Sequence, residues 1–361
     1  MRVVFAGGGT GGHLYPGLAI ARALVRARPD VQPHFVGAHR GIEREILPHT
    51  EFPHTLLDAH PVYRSQPWRS WRAPVGFLTG WRRLNVLAAE DRPALVVGTG
   101  GYASAIPLAW ARRKGIPIVQ HIGDAFPGAA ARVFARWSPE CYLGFPEAQR
   151  HLPVGPVYIV TGNPIEPPPT PRPDRAQLLR QWRLPRDSRV LLVFGGSQGS
   201  HAINEAVLEW TRRGIPDGWS VLWATGTTLY GDYQGEDRAR VRVVPYLSPI
   251  ADAYGVATLA LVRGGMMGTT ELCAWGIPMI IVPLPTAAAD HQTWNARSLD
   301  AAGAAIHLPQ KDLSVEQLDE LVRDLTADET HLLDLAERAL KRARPRAAEE
   351  IARHIAALLA A

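Results

Sequence analysis

Three short apolar runs in this chain each pass directly into a glycine-rich loop and then into residues with helical spacing. The runs cover residues 2–6, 189–194 and 259–262, and the loops that follow read GGGTGGH, GGSQGS and RGGMMGTTE. An apolar run too short for a helix predicts a buried strand, and a strand followed by a glycine turn and a helix begins a βαβ unit. Further buried strands are predicted at residues 31–36, 94–97, 116–120, 221–225, 241–244 and 279–282. This alternation predicts an α/β fold with parallel sheets.

A proline-rich segment separates two such series of strands. The segment TGNPIEPPPTPRPD, residues 161–174, contains six prolines. Because proline fixes φ and lacks a backbone donor, the segment can form neither a helix nor an interior strand. The 361 residues suit two domains of the usual size. We therefore predict two doubly wound, Rossmann-like domains that face a cleft, residues 1–163 and 164–341, with ligands at the carboxyl ends of the strands.

The composition excludes several other classes of protein. Hydrophobic residues make up 46% and charged residues 20%, as in a globular chain. No apolar run approaches the roughly 18 residues of a membrane span, and the N-terminal apolar stretch is too short for a signal-peptide core. Cys141 and Cys273 form no disulfide or zinc pattern, which favours a reducing cytoplasm. The net charge of +5 is the one feature that favours nucleic-acid binding. The sequence has no recognisable nucleic-acid-binding module, so we expect no nucleic-acid partner.

The first glycine loop contains the spacing G-x-G-x-x-G at Gly7, Gly9 and Gly12. A dinucleotide site also needs a carboxylate near the end of the second strand, and residues 35–39 (FVGAH) contain none, which disfavours nicotinamide binding. Glycine N–H groups at a helix start still favour an anion, although a tight turn without a ligand is the alternative. His13 is the titratable side chain of this loop and is a candidate general base, or else a structural histidine.

The second and third glycine loops repeat the arrangement. Neither the first loop nor the second continues into Gly-Lys-Ser/Thr, which argues against an ATPase, and two anion sites indicate a ligand with phosphates at both ends or two phosphorylated ligands. Glu271 follows the third loop and is suited to two adjacent ribose hydroxyls, or to stabilising the helix N-terminus. Gln292 is a helix-surface amide or a sugar ligand. There is no Asp-x-Asp metal clamp, so we expect neither a bound metal nor a cofactor.

Six motifs, in this order and at these separations, resemble the MurG family of UDP-N-acetylglucosamine transferases. They are GGGTGGHLYPGLAIA, VVGTGGYAS, TGNPI, GGSQGS, RGGMMGTTE and DHQTWNA, and the resemblance covers nearly the whole chain. It implies the GT-B fold, with a terminal helix at residues 342–361 that joins the first domain. It also implies an inverting transfer of GlcNAc from UDP-GlcNAc to the MurNAc C4 hydroxyl of lipid I (undecaprenyl-diphospho-MurNAc-pentapeptide), giving lipid II for peptidoglycan synthesis.

The resemblance also implies roles for individual residues. His13 matches the general base, and the residues that match the loops facing the sugar and the acceptor diphosphate are Thr10, Gly11, Gly12 and Tyr102. The residues that match donor contacts in the C-terminal domain are Ser197, Gln198, Leu247, Met266, Met267, Gly268, Thr269, Glu271 and Gln292.

Two positions depart from the family pattern. Asp124 replaces an asparagine that contacts the donor sugar, and an ionised carboxylate accepts but cannot donate a hydrogen bond. Glu166 lies where the family commonly has an arginine near the nucleotide, and Arg263 is a candidate replacement. Two alternatives stay open: a related GT-B glycolipid synthase, which would share the donor half and take another acceptor, and a nucleotide-sugar-binding protein that has lost catalysis, which could show these two departures.

A basic and aromatic cluster lies between Tyr63 and Leu84. No acidic residue occurs from Ala59 to Ala89, and the cluster contains Arg64, Arg69, Arg72, Arg82 and Arg83 among Trp68, Trp71, Phe77 and Trp81. Arginine is attracted to anionic headgroups and tryptophan prefers the membrane interface. We expect peripheral attachment to the inner face of the plasma membrane here; a solvated basic face, or arginine stacked on aromatic rings within the domain, is the alternative.

Overall fold

The structure is a computed structural model that describes residues 1–60 and 73–360. Within these residues the strands of the first half are β1 (Arg2–Gly7), β2 (Gln32–Ala38), β3 (His54–Leu57), β4 (Leu95–Gly100), β5 (Ile118–Ile122), β6 (Glu140–Leu143) and β7 (Val157–Val160). Those of the second half are β8 (Arg189–Phe194), β9 (Trp219–Ala224), β10 (Val241–Val244), β11 (Leu259–Val262), β12 (Met279–Ile281) and β13 (Ile306–His307).

Helices alternate with these strands. They are α1 (Gly11–Ala27), α2 (Glu43–Ile46), α3 (Ala73–Glu90), α4 (Ala105–Lys114), α5 (Ala129–Ala135), α6 (Arg175–Gln181), α7 (His201–Arg213), α8 (Tyr230–Tyr233), α9 (Ile250–Val256), α10 (Met266–Trp275), α11 (His291–Ala301), α12 (Val315–Ala327), α13 (Glu329–Arg342) and α14 (Ala347–Leu358). The predicted alternation of strand and helix is confirmed. None of these helices is both long enough and apolar enough to cross a membrane.

The chain divides into two compact units. The first contains Met1–Glu166 and Arg344–Ala361, and the second contains Pro167–Ala343. The division lies inside the proline-rich segment, which contains no helix or strand, and it falls three residues after the boundary that the sequence suggested. In the first unit α14 packs along α1, where Ile351 and Ile355 share one core with Leu14 and Leu18.

Each unit is built on one parallel sheet. The first sheet has the strand order β3-β2-β1-β4-β5-β6-β7 and the second has the order β10-β9-β8-β11-β12-β13, and every adjacent pair of strands is parallel. Both orders are doubly wound, since the chain reverses its direction of progress at β1/β4 and at β8/β11. Loops at the carboxyl ends of such a strand pair form the usual ligand crevice of this architecture. The glycine loops predicted from the sequence follow β1, β4, β8 and β11.

The helices are amphipathic and bury their apolar faces on the sheets. In α7, Ile203, Val207 and Trp210 recur at helical spacing and are at most 1% exposed. The Ser200 hydroxyl accepts a hydrogen bond from the N–H of Ile203 and caps the start of α7. The cap and the buried face together fix where the second glycine loop ends.

Candidate active site

In the first unit, two glycine loops meet where the strand order reverses. Gly7 at the end of β1 pairs with Gly100 at the end of β4, after an irregularity in the register. The N–H of Gly8 donates to the carbonyl of Gly100 over 3.3 Å. Gly101 has a φ of 74°, and a Cβ on it would lie 1.9 Å from the carbonyl oxygen of Gly8. The two loops therefore touch through their backbones, and a side chain at Gly101 has no room.

His13 lies in the first turn of α1 and is half-buried against the second of these loops. A Cβ on Gly100 would lie 2.6 Å from Cδ2 of the His13 ring, which shows how closely the imidazole covers that backbone. The Thr10 Oγ1 and His13 Nδ1 atoms are 3.0 Å apart. When Nδ1–H donates to the hydroxyl, Nε2 keeps its lone pair and is the basic atom of the ring.

The other predicted residues of this unit surround His13 in the same two loops. Thr10 is exposed and precedes α1 in extended conformation, and Gly11 and Gly12 are the first residues of the helix. A helix offers no acceptor to its first N–H groups, so those of Gly11 and Gly12 remain suited to an anion. The ring of Tyr102 covers Gly9, where a Cβ would lie 2.7 Å from Cε1.

Asp124 lies in the loop that follows β5, and His121 at the end of that strand was not predicted as a site residue. Asp124 is half-buried, whereas His121 at the end of β5 is 1% exposed. Burial, and then the positive charge of His13, lower the pKa of His121 to about 4. His121 is therefore neutral at neutral pH, and it lies close enough to His13 for the charge of His13 to disfavour its protonation.

The buried side chain of Glu43 packs behind the first glycine loop, and this residue was not predicted from the sequence either. Glu43 in α2 is 0% exposed, and its Oε1 accepts a hydrogen bond from the N–H of Ala38 over 3.1 Å. A Cβ on Gly8 would lie 1.8 Å from Oε1, and one on Gly41 would lie 1.9 Å from Oε2. Glu43 thus fills the space that glycines leave behind the loop, and the G-x-E spacing after β2 was the available signal.

In the second unit, the glycine loop after β8 is open to solvent. Ser197 and Gln198 are both exposed, as contacts with a diphosphate require. The carbonyl of Ser197 accepts from the N–H of Thr227, and the Gln198 amide oxygen accepts from the hydroxyl of Thr228, each over 3.4 Å. The loop that follows β9 therefore supports this one.

The third glycine loop leads into α10, whose first residues are Met266, Met267 and Gly268. Their N–H groups lie at the helix start, as an anion or the edge of a base requires. Thr269 is fully buried and its hydroxyl donates to the carbonyls of Gly265 and Met266, so this hydroxyl is already used inside the helix.

Leu247 precedes α9 in the chain, and Glu271 of α10 is hydrogen-bonded to α9. Leu247 is 4% exposed and belongs to the loop between β10 and α9. Glu271 is partly exposed in the second turn of α10, and its Oε2 accepts a hydrogen bond from the hydroxyl of Tyr254 in α9 over 2.7 Å. Tyr254 was not predicted from the sequence as a residue of the site.

A cavity of about 390 Å³ opens between the loops that follow β8, β11, β12 and β13. Its polar wall includes Gln292, Arg263 and Gln310. The Gln292 side-chain oxygen accepts from the N–H of Leu284 over 3.0 Å, which leaves its NH₂ group to face a ligand. The Arg263 guanidinium donates to the carbonyls of Val282 and Pro283 and to the Ser200 hydroxyl, and burial lowers its pKa.

The structure thus gathers the predicted residues into two groups, one in each unit. Thr10, Gly11, Gly12, His13 and Tyr102 lie together at β1/β4, with Asp124 on the loop of the adjacent strand β5. The donor residues surround β8/β11, with Leu247 on the loop that follows β10. Glu166 is exposed at the end of the first unit, and Arg263 is engaged by groups of the second unit.

Comparison with known proteins accounts for both units. Residues 3–142 match the N-terminal domain of glycosyltransferase family 28, and residues 190–351 match its C-terminal domain. A protein of Salinibacter ruber is 38% identical over 99% of this chain and 96% of its own, and one of Chlorobaculum parvum is 37% identical over 99% of both. Both relatives are named UDP-N-acetylglucosamine–N-acetylmuramyl-(pentapeptide) pyrophosphoryl-undecaprenol N-acetylglucosamine transferase.

Solved structures agree with these relatives. The crystal structure of MurG from Acinetobacter baumannii superposes with a TM-score of 0.78 at 25% identity, covering 98% of this chain and 99% of that one. The glycosyltransferase of kitacinnamycin, at 17% identity, has a TM-score of 0.72 over 98% of both chains and shares the fold. The chain therefore has two Rossmann-like domains of the GT-B fold and belongs to the MurG family within glycosyltransferase family 28.

Proposed function

We propose that this protein transfers GlcNAc from UDP-GlcNAc to the C4 hydroxyl of MurNAc in undecaprenyl-pyrophosphoryl-MurNAc-pentapeptide, with inversion at the anomeric carbon. The observation that carries the proposal is the similarity to relatives 37% and 38% identical over nearly the full chain, whose names state a transfer of N-acetylglucosamine from its UDP form to N-acetylmuramyl-(pentapeptide) pyrophosphoryl-undecaprenol. The product is the lipid-linked disaccharide from which peptidoglycan is built.

The first unit supplies the base in this proposal. His13 Nε2 takes the proton of the acceptor hydroxyl, the hydroxyl oxygen bonds to C1 of GlcNAc, and the bond from C1 to the diphosphate oxygen breaks, releasing UDP. The contact between Thr10 and Nδ1 supports this role, because the lone pair lies on Nε2 when Nδ1–H donates to the Thr10 hydroxyl. Gly11 and Gly12 offer N–H groups to the acceptor diphosphate, and Tyr102 and Asp124 line the same loops.

The second unit holds the donor in this proposal. The N–H groups of Met266, Met267 and Gly268 at the start of α10 stabilise the charge that develops on UDP. Ser197 and Gln198 contact the diphosphate, and the backbone of Leu247 contacts uracil. The side chains assigned to the two sugars of the donor are Glu271 for ribose and Gln292 for GlcNAc.

The membrane surface is the expected place of work, because the acceptor carries a polyprenyl chain. Trp68, Trp71, Arg64, Arg69 and Arg72 of the predicted cluster lie outside the described residues. In the described part, Phe77 and Leu78 of α3 are 39% and 62% exposed, beside the exposed Arg82 and Arg83. Exposed apolar side chains among arginines suit an anionic lipid surface on the cytoplasmic side.

Transfer of labelled GlcNAc from UDP-GlcNAc to a short-chain lipid I analogue tests the reaction. We expect product from the wild type and a loss of about 100-fold or more in His13→Ala. His49→Ala, a change of an exposed histidine in the same unit, is the matched control and should transfer normally. Equal rates for the wild type and His13→Ala would remove the base assignment. Donor hydrolysis without transfer would indicate another acceptor, and donor binding without turnover would indicate a protein that has lost catalysis.

Co-sedimentation with phosphatidylglycerol vesicles tests the membrane surface. We expect the wild type to bind these vesicles, and Phe77→Ser combined with Leu78→Ser to weaken binding severalfold, because two exposed apolar contacts with the lipid are lost. Leu333→Ser is the control, since Leu333 is 63% exposed in the second unit. Binding that is unchanged in the double variant would rule out α3 as the attachment surface.

A further inference from the structure

Tyr254 is a buried aromatic residue whose side chain has one polar group, the hydroxyl. This hydroxyl donates a hydrogen bond to Glu271, the carboxylate assigned to the donor ribose. The residue is 3% exposed, and its hydroxyl donates to Glu271 Oε2 over 2.7 Å. Glu271 itself is partly exposed at the site. The buried Tyr254 hydroxyl therefore fixes the position of one oxygen of the partly exposed Glu271 carboxylate.

The tyrosine ring is fixed by its neighbours. It packs against Phe194 with ring centroids 6.4 Å apart and against Trp275 with centroids 5.9 Å apart. Phe194 ends β8, and a Cβ on Gly268 would lie 3.3 Å from its ring. The Tyr254 ring is thus set into the framework that also carries the second glycine loop and the start of α10.

The protonation state of Tyr254 suits a permanent donor. Burial, and then the negative charge of Glu271, raise the pKa of Tyr254 well above its usual value. The phenol therefore keeps its proton throughout the working pH range, and the bond to the carboxylate is a charge-assisted hydrogen bond. Such a bond restricts rotation of the Glu271 carboxylate about its last torsion angle, which is otherwise broad.

We propose that Tyr254 is a positioning residue that orients the Glu271 carboxylate for the two hydroxyls of the donor ribose, and so sets the preference for a ribonucleotide over a 2′-deoxyribonucleotide sugar donor. This inference rests on the proposed function, which assigns the ribose to Glu271. A carboxylate that accepts from two adjacent hydroxyls must be turned so that one oxygen faces each hydroxyl. That orientation is lost when the carboxylate rotates freely.

The test compares UDP-GlcNAc with its 2′-deoxyuridine analogue as donors. In Tyr254→Phe we expect KM for UDP-GlcNAc to rise about tenfold with kcat nearly unchanged, as loss of one hydrogen bond to a charged group implies. KM for the deoxy analogue should rise much less, so that the ratio of KM for the deoxy analogue to KM for UDP-GlcNAc falls. A merely structural role would raise both KM values together and leave the ratio unchanged.

Tyr233→Phe is the matched control. Tyr233 is also 3% exposed in the second unit, and its hydroxyl donates over 2.6 Å to Oε1 of Glu205, a carboxylate that is not assigned to the donor. This variant loses the same kind of bond and should keep the wild-type ratio. Glu271→Gln is the reference, because it should remove most of the discrimination, and adding Tyr254→Phe to it should change the ratio no further.

The outcomes separate the two proposals. A ratio altered by Glu271→Gln but not by Tyr254→Phe overturns the role of Tyr254 and keeps the ribose assignment. A ratio unaffected by Glu271→Gln, with normal transfer of GlcNAc, overturns both the ribose assignment and this inference but keeps the transferase. If the wild type transfers nothing, the proposed function fails, and calorimetric binding of UDP and 2′-deoxy-UDP to the same variants still decides whether Tyr254 sets the preference.

Discussion

The contact between Thr10 and His13 makes a sharp prediction for Thr10→Val. Thr10 is exposed, and its extended backbone, with φ −142° and ψ 161°, suits the β-branched valine. Its side chain forms no capping hydrogen bond with α1, so the substitution removes no helix cap. What it removes is the oxygen 3.0 Å from His13 Nδ1. The substitution therefore tests how this oxygen affects the orientation and protonation of the imidazole.

The size of the effect follows from the kind of bond that is lost. A solvent-exposed hydrogen bond contributes about 0.5–1.5 kcal/mol net, which corresponds to a factor of roughly 2–12 in rate. We expect kcat for GlcNAc transfer to fall by about that factor, while KM for UDP-GlcNAc stays near the wild-type value because the residues assigned to the nucleotide lie in the other unit. Thr10→Ser keeps the hydroxyl and should recover most of kcat.

The assay is steady-state transfer to a short-chain lipid I analogue, measured in both the wild-type and the His13→Ala backgrounds. If Thr10 acts through His13, Thr10→Val should lower kcat in the wild type and have almost no effect in His13→Ala, since residues that act as a unit are not additive. An equal fall in both backgrounds would refute the tautomer argument, and so would a wild-type rate in Thr10→Val.

Two further predictions concern stability. Gly101→Ala should cost about 2 kcal/mol or more, since its Cβ would meet a backbone oxygen at a positive φ. Gly115→Ala, at a φ of 64° with nothing within 4 Å, should cost only about 1 kcal/mol in the same thermal melts, and equal losses would contradict the contact. Burial lowers the pKa of His34 and His121 to about 4, against about 6.5 when unfolded, so their contribution is complete above pH 6.5 and is lost as pH falls towards 4. The urea midpoint should therefore fall between pH 7 and pH 5, and by less in a variant with glutamine at both positions; equal falls would refute the assignment.

Much of the fold could be predicted because its central strands are continuous apolar runs. The predicted strands at residues 189–194, 241–244 and 259–262 have the bounds of β8, β10 and β11. Strand β3 could not be predicted individually, because its four residues, HTLL, mix polar and apolar side chains and only Leu57 is fully buried. Strand β7, VYIV, is an apolar run but lies at the other edge of the first sheet and has no fully buried residue, so its place in the sheet does not follow from its sequence.

The candidate site was predictable where its chemistry is local to one loop. Thr10 and His13 are three residues apart at a strand-to-helix turn, so sequence spacing alone places them together. Glu43 reaches Gly8 across 35 positions, and only the pairing of β1 with β2 brings α2 behind the first loop. The departure at Asp124 drew attention to the loop after β5, yet the strand order is what sets His121 near His13.

Tyr254 is a residue whose role the sequence predicts only in part. Its neighbours Ala253 and Val256 are buried, and the sequence therefore reads as an ordinary core helix. A buried tyrosine hydroxyl nevertheless requires a hydrogen-bond partner, so the sequence does predict that some acceptor lies nearby. Which acceptor it is depends on the packing of α9 beside α10, a tertiary contact with no local signal. Because that contact selects Glu271, a core position of the second unit acts on the donor preference through one hydrogen bond.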